Sequence, residues 1–310
     1  MSRIHEALKK AEEQRAALQG GGAESLATAE TAAALAPDLS PAPLSSPVVP
    51  PAGRAPVDAP SSLDAMLERF TTTNWEPDLK TMLFFGAEER GYGKEQFRTL
   101  RSRLNQMRER QPLKKLLVTS ALPKEGKSFV AANLAQVVAR QPGHRALLID
   151  ADLRSARLHT ALGTSSTPGL SDYLLGEADE SRVVQRGQME NLYFIPSGQS
   201  ITNPAELVAN GRLQALLKRV ESLFDWIIID SPPAVPVSDA SLLANCCDGV
   251  LMVVRSNATP SDIARKARQE FSEKHLVGVV LNGIEINSAP YSEYYHTAYI
   301  QPNGKGETQR

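Results

Sequence analysis

Short apolar runs alternate with helical patterns from Leu113 onward. A strand that is covered by helices on both faces has no polar side, so its residues form a continuous apolar run. Such strands in alternation with helices predict an α/β fold: a mostly parallel, twisted sheet with helices on both faces, whose ligands bind at the carboxyl ends of the strands. We predict six strands, at Leu116–Thr119, Ala146–Ile149, Leu192–Ile195, Trp226–Ile229, Val250–Val254 and Val277–Leu281.

Two segments outside this alternation have the apolar spacing of amphipathic helices. One runs from Glu95 to Met107, and its apolar face consists of Phe97, Leu100, Leu104 and Met107. The other covers residues 1–19, where Ser2 is a candidate N-cap and the apolar stripe consists of Ile4, Leu8, Ala11 and Leu18. A single helix of this length is marginal in water, so we expect residues 1–19 to dock on a partner or to fray.

The composition of the chain changes along its length and predicts four parts. Residues 1–19 form the N-terminal helix, and residues 20–62, rich in Ala, Pro and Ser, predict a disordered linker. Residues 63–288 carry the strand and helix patterns of a folded domain. Residues 289–310 predict a flexible tail, which holds four of the seven tyrosines in the chain.

Composition and charge exclude several function classes. The 310 residues carry a formal net charge of −1, so the overall charge does not indicate a nucleic-acid partner. The only two cysteines, Cys246 and Cys247, are adjacent and cannot easily bridge, which fits a reducing compartment. No run approaches 18 apolar residues and the first residues lack the apolar core of a signal peptide, so we expect a cytoplasmic protein.

A phosphate-binding motif joins the first predicted strand to the helix after it. Gly126-Lys127-Ser128 completes the pattern G-x-x-x-x-G-K-[ST], although Ala121 stands where the first glycine is expected. In such a loop, backbone N–H groups and the helix N-terminus hold phosphate oxygens, the lysine reaches the β- and γ-phosphates, and the hydroxyl binds Mg²⁺. The residues predicted to bind the nucleotide here are Pro123, Lys124, Glu125, Gly126, Lys127, Ser128 and Phe129.

Acidic residues follow two other predicted strands. The first strand leads into Asp150-x-Asp152-x-Arg154, and the second leads into Asp230, which two prolines follow closely. Because the carboxyl ends of parallel strands meet at one edge of a sheet, we expect these acids to lie beside the phosphate loop. One carboxylate can hold Mg²⁺ there and another can orient or deprotonate a nucleophile. The three motifs together predict phosphoryl transfer.

These motifs resemble the Walker A, A′ and B motifs of bacterial tyrosine kinases, the autokinases of exopolysaccharide and capsule loci. The resemblance covers about residues 90–299, and the N-terminal helix and linker resemble the variant found with exosortase-type loci. A helix with Glu95, Arg98 and Arg101 is similar to the motif through which the family forms rings. The acceptor tyrosines that the resemblance implies are Tyr291, Tyr294, Tyr295 and Tyr299.

The resemblance also implies roles within a P-loop kinase site for ATP and Mg²⁺. Lys127 would hold the β- and γ-phosphates, and Asp150 is our first choice over Asp152 for the acid that accepts the tyrosine proton. Arg154 completes the predicted catalytic set. The residues predicted to hold Mg²⁺ are Ser128, Asp152 and Asp230.

Three of these assignments have plainer alternatives. Asn282 is similar to an adenine contact of related ATPases, but an Asn before Gly283 is also typical of a turn. The charges of the 95–101 helix can form local ion pairs, because residues three apart are neighbours on a helix. The tail tyrosines could instead pack back onto the domain as an anchor.

The resemblance further implies partners. We expect a homo-oligomer, in ring form, in which the tail of one subunit reaches the active site of its neighbour. We also expect a separate membrane polysaccharide co-polymerase that activates the kinase at the inner face of the membrane, and a cognate tyrosine phosphatase.

Two other functions stay open from the sequence. A positioning or partition ATPase of the ParA and MinD type shares the fold and the altered loop, but carries a signature lysine where this chain has Leu122. The other candidate is a catalytically silent ATP-binding regulator of polysaccharide assembly.

Overall fold

Eight strands form one sheet in the computed structural model, which describes residues 62–86, 92–271 and 276–284. The strands are β1 Thr71–Thr72, β2 Lys115–Ser120, β3 Ala146–Asp150, β4 Gln185–Arg186, β5 Leu192–Ile195, β6 Trp226–Asp230, β7 Gly249–Arg255 and β8 Leu276–Asn282. Their order in the sheet is β1-β4-β5-β3-β6-β2-β7-β8. Only β4 and β5 pair antiparallel among these strands, so the predicted, mostly parallel α/β fold is confirmed.

Helices connect the strands and cover the sheet. They are α1 Ser62–Glu68, α2 Tyr92–Arg108, α3 Lys127–Ala139, α4 Leu158–Leu162, α5 Leu170–Leu175, α6 Glu180–Val183, α7 Pro204–Ala209, α8 Arg212–Val220, α9 Asp239–Ala244 and α10 Ser261–Gln269. The predicted helix at 95–107 lies within α2. In the described part of the chain, no helix has the length and apolar character needed to cross a bilayer.

Several predictions lie outside the described residues. These are the N-terminal helix, the linker up to residue 61, and the tyrosine tail. The proposed boundaries between the four parts of the chain therefore stay predictions.

All six predicted strands are present, and the structure extends five of them by one or two residues. Sequence analysis missed β1 and β4. Each has only two residues, which is too short to produce an apolar pattern. They lie together at one edge of the sheet, far from the strands that carry the chemistry.

The core occupies both faces of the sheet. Successive residues of a strand point to opposite faces, and in β2 Leu116 and Leu117 belong to the two different apolar layers. Ile227 and Ile228 of β6 divide between the layers in the same way, and all four side chains are fully buried. The continuous apolar runs in the sequence therefore correspond to strands covered on both sides.

Helix α3, which begins at the phosphate loop, is buried along its length from Val130 to Ala139. Its two polar residues bind a neighbouring segment of backbone. The Asn133 side chain accepts a hydrogen bond from the Leu83 N–H at 2.9 Å, and Gln136 accepts one from the Phe84 N–H at 3.0 Å. Buried polar groups need such partners, and here they hold residues 81–84 against α3.

Strand β8 differs from its prediction as a covered strand. It lies at the edge of the sheet beyond β7, and Val279 and Leu281 are 54% and 53% exposed. The apolar run correctly predicted a strand, but periodicity does not distinguish a central strand from an edge strand.

Candidate nucleotide-binding site

The phosphate loop lies between the end of β2 and the start of α3, as predicted. Its backbone is in the left-handed region at two positions, Lys124 with φ 66° and Gly126 with φ 98°. A Cβ atom on Gly126 would lie 2.1 Å from the Nδ2 atom of Asn282. This position therefore requires glycine on grounds of both conformation and space.

Parallel pairing of the strands brings the predicted acids to this loop. In the register of β3 and β6, Asp150 is opposite Asp230, and on the other side of β6 Asp230 is opposite Val118 of β2. Strand β6 is thus the centre of the site, between the strand of the phosphate loop and the strand of the Asp150 motif. The predicted gathering of both acidic motifs at one edge is confirmed.

The ammonium group of Lys127 lies among these carboxylates. Its Nζ atom is 2.8 Å from Oδ2 of Asp152 and 3.9 Å from Oδ2 of Asp230, and 3.2 Å from the hydroxyl of Ser128. The Asp152 side chain also accepts a hydrogen bond from the Ser155 N–H at 3.0 Å. The lysine that we predict to hold phosphates thus has two carboxylates beside its ammonium group.

Asp150 is deeper than the other two acids. Its side chain is fully buried, and its two oxygens accept hydrogen bonds from the backbone N–H groups of Asp152 at 3.3 Å and Leu158 at 3.1 Å. Burial raises the pKa of the Asp150 carboxyl to about 8, and the charge of Asp230 adds to the rise. The protonated form of Asp150 is therefore favoured at neutral pH.

The other charged groups show the same excess of negative charge. Burial raises the pKa of Asp230 to about 6, although Lys127 and a hydrogen bond with Ser128 oppose the rise. For Lys127, burial disfavours the charged form, but Asp230 and Asp152 outweigh it, so the pKa of the ammonium is raised. Among the described residues, the ammonium of Lys127 is thus the one cation beside three buried carboxyl groups, and this arrangement favours the binding of a further cation.

The donor set fits Mg²⁺. The Oδ1 atom of Asp230 is buried and has no hydrogen-bond partner, which is costly for a carboxylate oxygen unless a cation binds it. Within residues 62–86, 92–271 and 276–284, no three acidic, His or Cys side chains converge to form a cage for a metal. Mg²⁺ ordinarily takes one or two carboxylates and completes its shell with water and phosphate oxygens. Asp230, Asp152 and Ser128 are the residues that would hold it.

Arg154 does not reach into this cluster. Its guanidinium forms a two-pronged ion pair with Asp239 of α9, with N–O distances of 2.8 and 3.0 Å. The Asp239 side chain is buried, so the surrounding residues hold the acidic partner of this ion pair in place. Sequence analysis missed Asp239, because only the packing of α9 against the loop after β3 brings the two residues together.

Asn282 lies beside the phosphate loop, where its Nδ2 atom donates a hydrogen bond to the carbonyl of Glu125 at 2.9 Å. It also borders a cavity of about 400 Å³ between α2, the start of α3 and the end of β8. Phe129 lines the same cavity, and its ring packs edge-on against Phe97 at a centroid distance of 5.7 Å. The two predicted nucleotide contacts outside the loop core therefore share one cavity.

The predicted interface residues on α2 have contacts within the chain. Arg98 forms an ion pair with Glu95, as the local alternative predicted. Arg101 donates a hydrogen bond to the carbonyl of Val137 in α3 at 2.7 Å. These contacts order the side chains on the surface of α2, and their role in an oligomer stays a prediction.

The raised pKa of Asp150 predicts a pH dependence of stability. Asp150 in the folded state holds its proton to about pH 8, whereas an unfolded Asp loses it near 3.8. Because the folded state binds more protons in this window, the free energy of unfolding falls as pH rises from about 4 to 8. The Asn side chain of Asp150→Asn does not titrate, so the variant lacks this pH dependence. As pH rises, the free energy of unfolding of the wild type should therefore fall relative to that of the variant, by more than about 1.4 kcal/mol.

Urea denaturation of nucleotide- and Mg²⁺-free protein between pH 5 and 8.5 measures this difference. The exposed Asp262→Asn is the control, and its curve should run parallel to that of the wild type. A constant difference between wild type and Asp150→Asn over the whole range would contradict the prediction.

Comparisons with known proteins agree with this site. Residues 124–262, which include both acidic motifs and most of the phosphate loop, match the family described as AAA domain. The chain is 36% identical over 212 residues to the tyrosine-protein kinase YwqD of Bacillus subtilis, and the match covers 68% of this chain and 89% of that protein. It is also 36% identical to the putative tyrosine-protein kinase EpsB of Ralstonia nicotianae, over 67% of this chain but only 28% of that protein.

Solved structures give the same result. The kinase domain of the Escherichia coli tyrosine kinase ETK superposes with a TM-score of 0.63 at 31% identity, over 76% of this chain and 91% of that domain. The chimerical protein CapA2B2 gives a TM-score of 0.62 at 27% identity, over 68% of this chain and 92% of that one. With these relatives and with the three phosphoryl-transfer motifs at one edge of the sheet, the chain belongs to the bacterial tyrosine kinase family.

Proposed function

We propose that this chain is an ATP-dependent autokinase that phosphorylates its own tail and thereby regulates exopolysaccharide polymerisation and export. The observation that carries the proposal is the position of Lys127, at the start of α3, within reach of Asp152 and Asp230. Membership of the kinase family favours this function over a partition ATPase. The acceptors are Tyr291, Tyr294, Tyr295 and Tyr299.

ATP would displace the carboxylates from Lys127. The ammonium then holds the β- and γ-phosphates, while the backbone N–H groups of residues 124–129 hold the phosphate oxygens. Ser128, Asp152 and Asp230 would hold Mg²⁺, which would supply positive charge against the phosphate oxygens. The same ion would offset the carboxylates that Lys127 leaves.

Asp150 is the proposed base for the tyrosine hydroxyl. A base must be ionised to accept a proton, and a base acts best when its pKa lies near the working pH. Burial and the charge of Asp230 raise the pKa of Asp150 to about 8, so a cation held by Asp152 and Asp230 would favour its ionised form. Because Asp150 is fully buried, substrate binding has to open a path to it. Arg154 acts in this proposal through Asp239, by fixing the loop that follows Asp152.

The cavity beside Asn282 is the proposed site of the adenine ring. Its walls include the aromatic ring of Phe129 and the end of β8, and it adjoins the phosphate loop through the bond from Asn282 to Glu125. An apolar cleft with a few polar groups is the usual environment of such a ring. The same cavity is bordered by Ile284, after which the chain continues towards the tail.

We propose that transfer occurs between subunits of a ring formed through Glu95, Arg98 and Arg101. The partners are a membrane polysaccharide co-polymerase, which activates the kinase at the membrane, and a tyrosine phosphatase.

Lys127→Met tests the assignment of the catalytic lysine. The ammonium that neutralises the transferring phosphate is lost, so phosphotyrosine in the tail should fall by about 100-fold or more. Purified protein is incubated with Mg-ATP and analysed by mass spectrometry of the tail peptides. Lys218→Met, on the exposed side of α8, is the control and should retain wild-type labelling. Labelling of Lys127→Met at the wild-type rate would remove Lys127 from catalysis, and a wild type that stays unlabelled with its activator present would favour the silent regulator.

A mixing experiment tests transfer between subunits. The recipient is Lys127→Met with an intact tail, and the donor carries Phe at all four tail positions. We expect phosphotyrosine on the recipient only when the donor is present, because the active site and the acceptor then lie on different chains. If the recipient stays unlabelled while wild-type protein labels itself under the same conditions, transfer is within one chain.

Phosphorylation should also weaken the ring. Each phosphotyrosine adds about −1.5 to −2 charges, and the site beside which the tail would bind is already rich in carboxylates. Size-exclusion chromatography of phosphorylated and phosphatase-treated protein should show the larger species only after dephosphorylation. The donor with four Phe residues is the control and should elute as the larger species under both treatments. Equal elution of the two wild-type samples would overturn this part of the proposal.

A further inference from the structure

The segment between β7 and α10, residues 256–260, contacts the phosphate loop although no sequence motif includes it. The hydroxyl of Thr259 donates a hydrogen bond to Oε1 of Glu125. The Oγ1 atom of Thr259 itself accepts a hydrogen bond from the backbone N–H of Arg255 at 3.1 Å. Thr259 is thus fixed on one side by the end of β7 and holds the loop residue on the other.

Glu125 brings a negative charge into a loop that binds an anion. Its side chain is only 4% exposed, so its carboxylate cannot turn away into bulk water. Both oxygens have donors, Oε1 from Thr259 and Oε2 from the Leu122 N–H at 2.8 Å. Without these donors, the carboxylate would be a negative charge beside the phosphates with no fixed direction.

Two more contacts hold the backbone on either side of this carboxylate. The guanidinium of Arg255 donates to the carbonyl of Lys124 at 3.2 Å, and Asn282 donates to the carbonyl of Glu125 at 2.9 Å. Lys124 and Gly126, which flank Glu125, are the two loop residues with positive φ. A non-glycine residue such as Lys124 keeps that conformation only when its surroundings hold it.

A purely structural explanation is that Thr259 stabilises only its own short segment. The direction of the contacts argues against this. Arg255 and Thr259 both bind the loop at consecutive residues, Lys124 and Glu125, immediately before Gly126 and Lys127. A change in the segment would therefore move the N–H groups that receive phosphate.

We propose that Thr259 is a positioning residue of the ATP site, which acts through Glu125 together with Arg255. It directs the Glu125 carboxylate away from the phosphates and holds the loop in its binding conformation before ATP arrives. The inference rests on the nucleotide site of the proposed function. It adds a connection from that site to the β7–α10 segment.

Thr259→Val tests the hydroxyl with little change of shape. We expect the Kd for Mg-ADP to rise about 10-fold, which corresponds to about 1.4 kcal/mol, while Thr259→Ser stays within about 2-fold of the wild type. The measurement is isothermal titration calorimetry on the full chain. Thr72→Val, at the opposite edge of the sheet, is the matched control because Thr72 also loses one hydrogen bond there, from Arg186.

Glu125→Gln, alone and combined with Thr259→Val, tests whether Thr259 acts on the ATP site through Glu125. If Thr259 acts through Glu125, the two changes are not additive in Kd. Wild-type affinity of Thr259→Val, a loss in Thr259→Ser equal to that in Thr259→Val, or additive effects would each overturn the inference. A wild type that does not bind Mg-ADP would instead overturn the proposed nucleotide site itself.

Discussion

The balance of buried charge at the ends of β2, β3 and β6 is the constraint on which the site depends. Three buried carboxyl groups and one partly buried ammonium lie there. In a low-dielectric setting, such a set is stable only if it keeps a proton or takes up a cation. The raised pKa of Asp150 favours the first of these, and the proposed binding of Mg²⁺ with ATP would supply the second.

The fold maintains this excess of carboxyl groups over the ammonium because the strand ends cannot shift relative to one another. Each central strand is buried on both faces, so a slip in register would move its side chains into the wrong layer. The pairing of Asp150 with Asp230 is therefore fixed by residues such as Leu148 and Ile228, which have no chemical role. Helix α3, buried from its second turn onward, holds Lys127 in place at its first residue.

Much of this arrangement was predictable from the sequence because it depends on local patterns. Apolar runs gave the strands, and a strand that ends in Asp gave the acids, since parallel strands end at one edge. The partners of these residues were not predictable in the same way. Asp239 binds Arg154 and Thr259 binds Glu125 across 85 and 134 positions of sequence, so only the packing of loops onto one another brings them together. The exposure of β8 was missed for a related reason: its place in the sheet depends on strand order.

The position where β8 ends has a geometric consequence. Tyr291 follows Ile284 by seven residues, so whatever path the chain takes, the two lie within about 25 Å of each other. Transfer between subunits, as proposed, would therefore require the nucleotide site of the neighbour to come within this reach of Ile284. A partner that changes the packing of adjacent subunits would then control the reaction without contact with either active site.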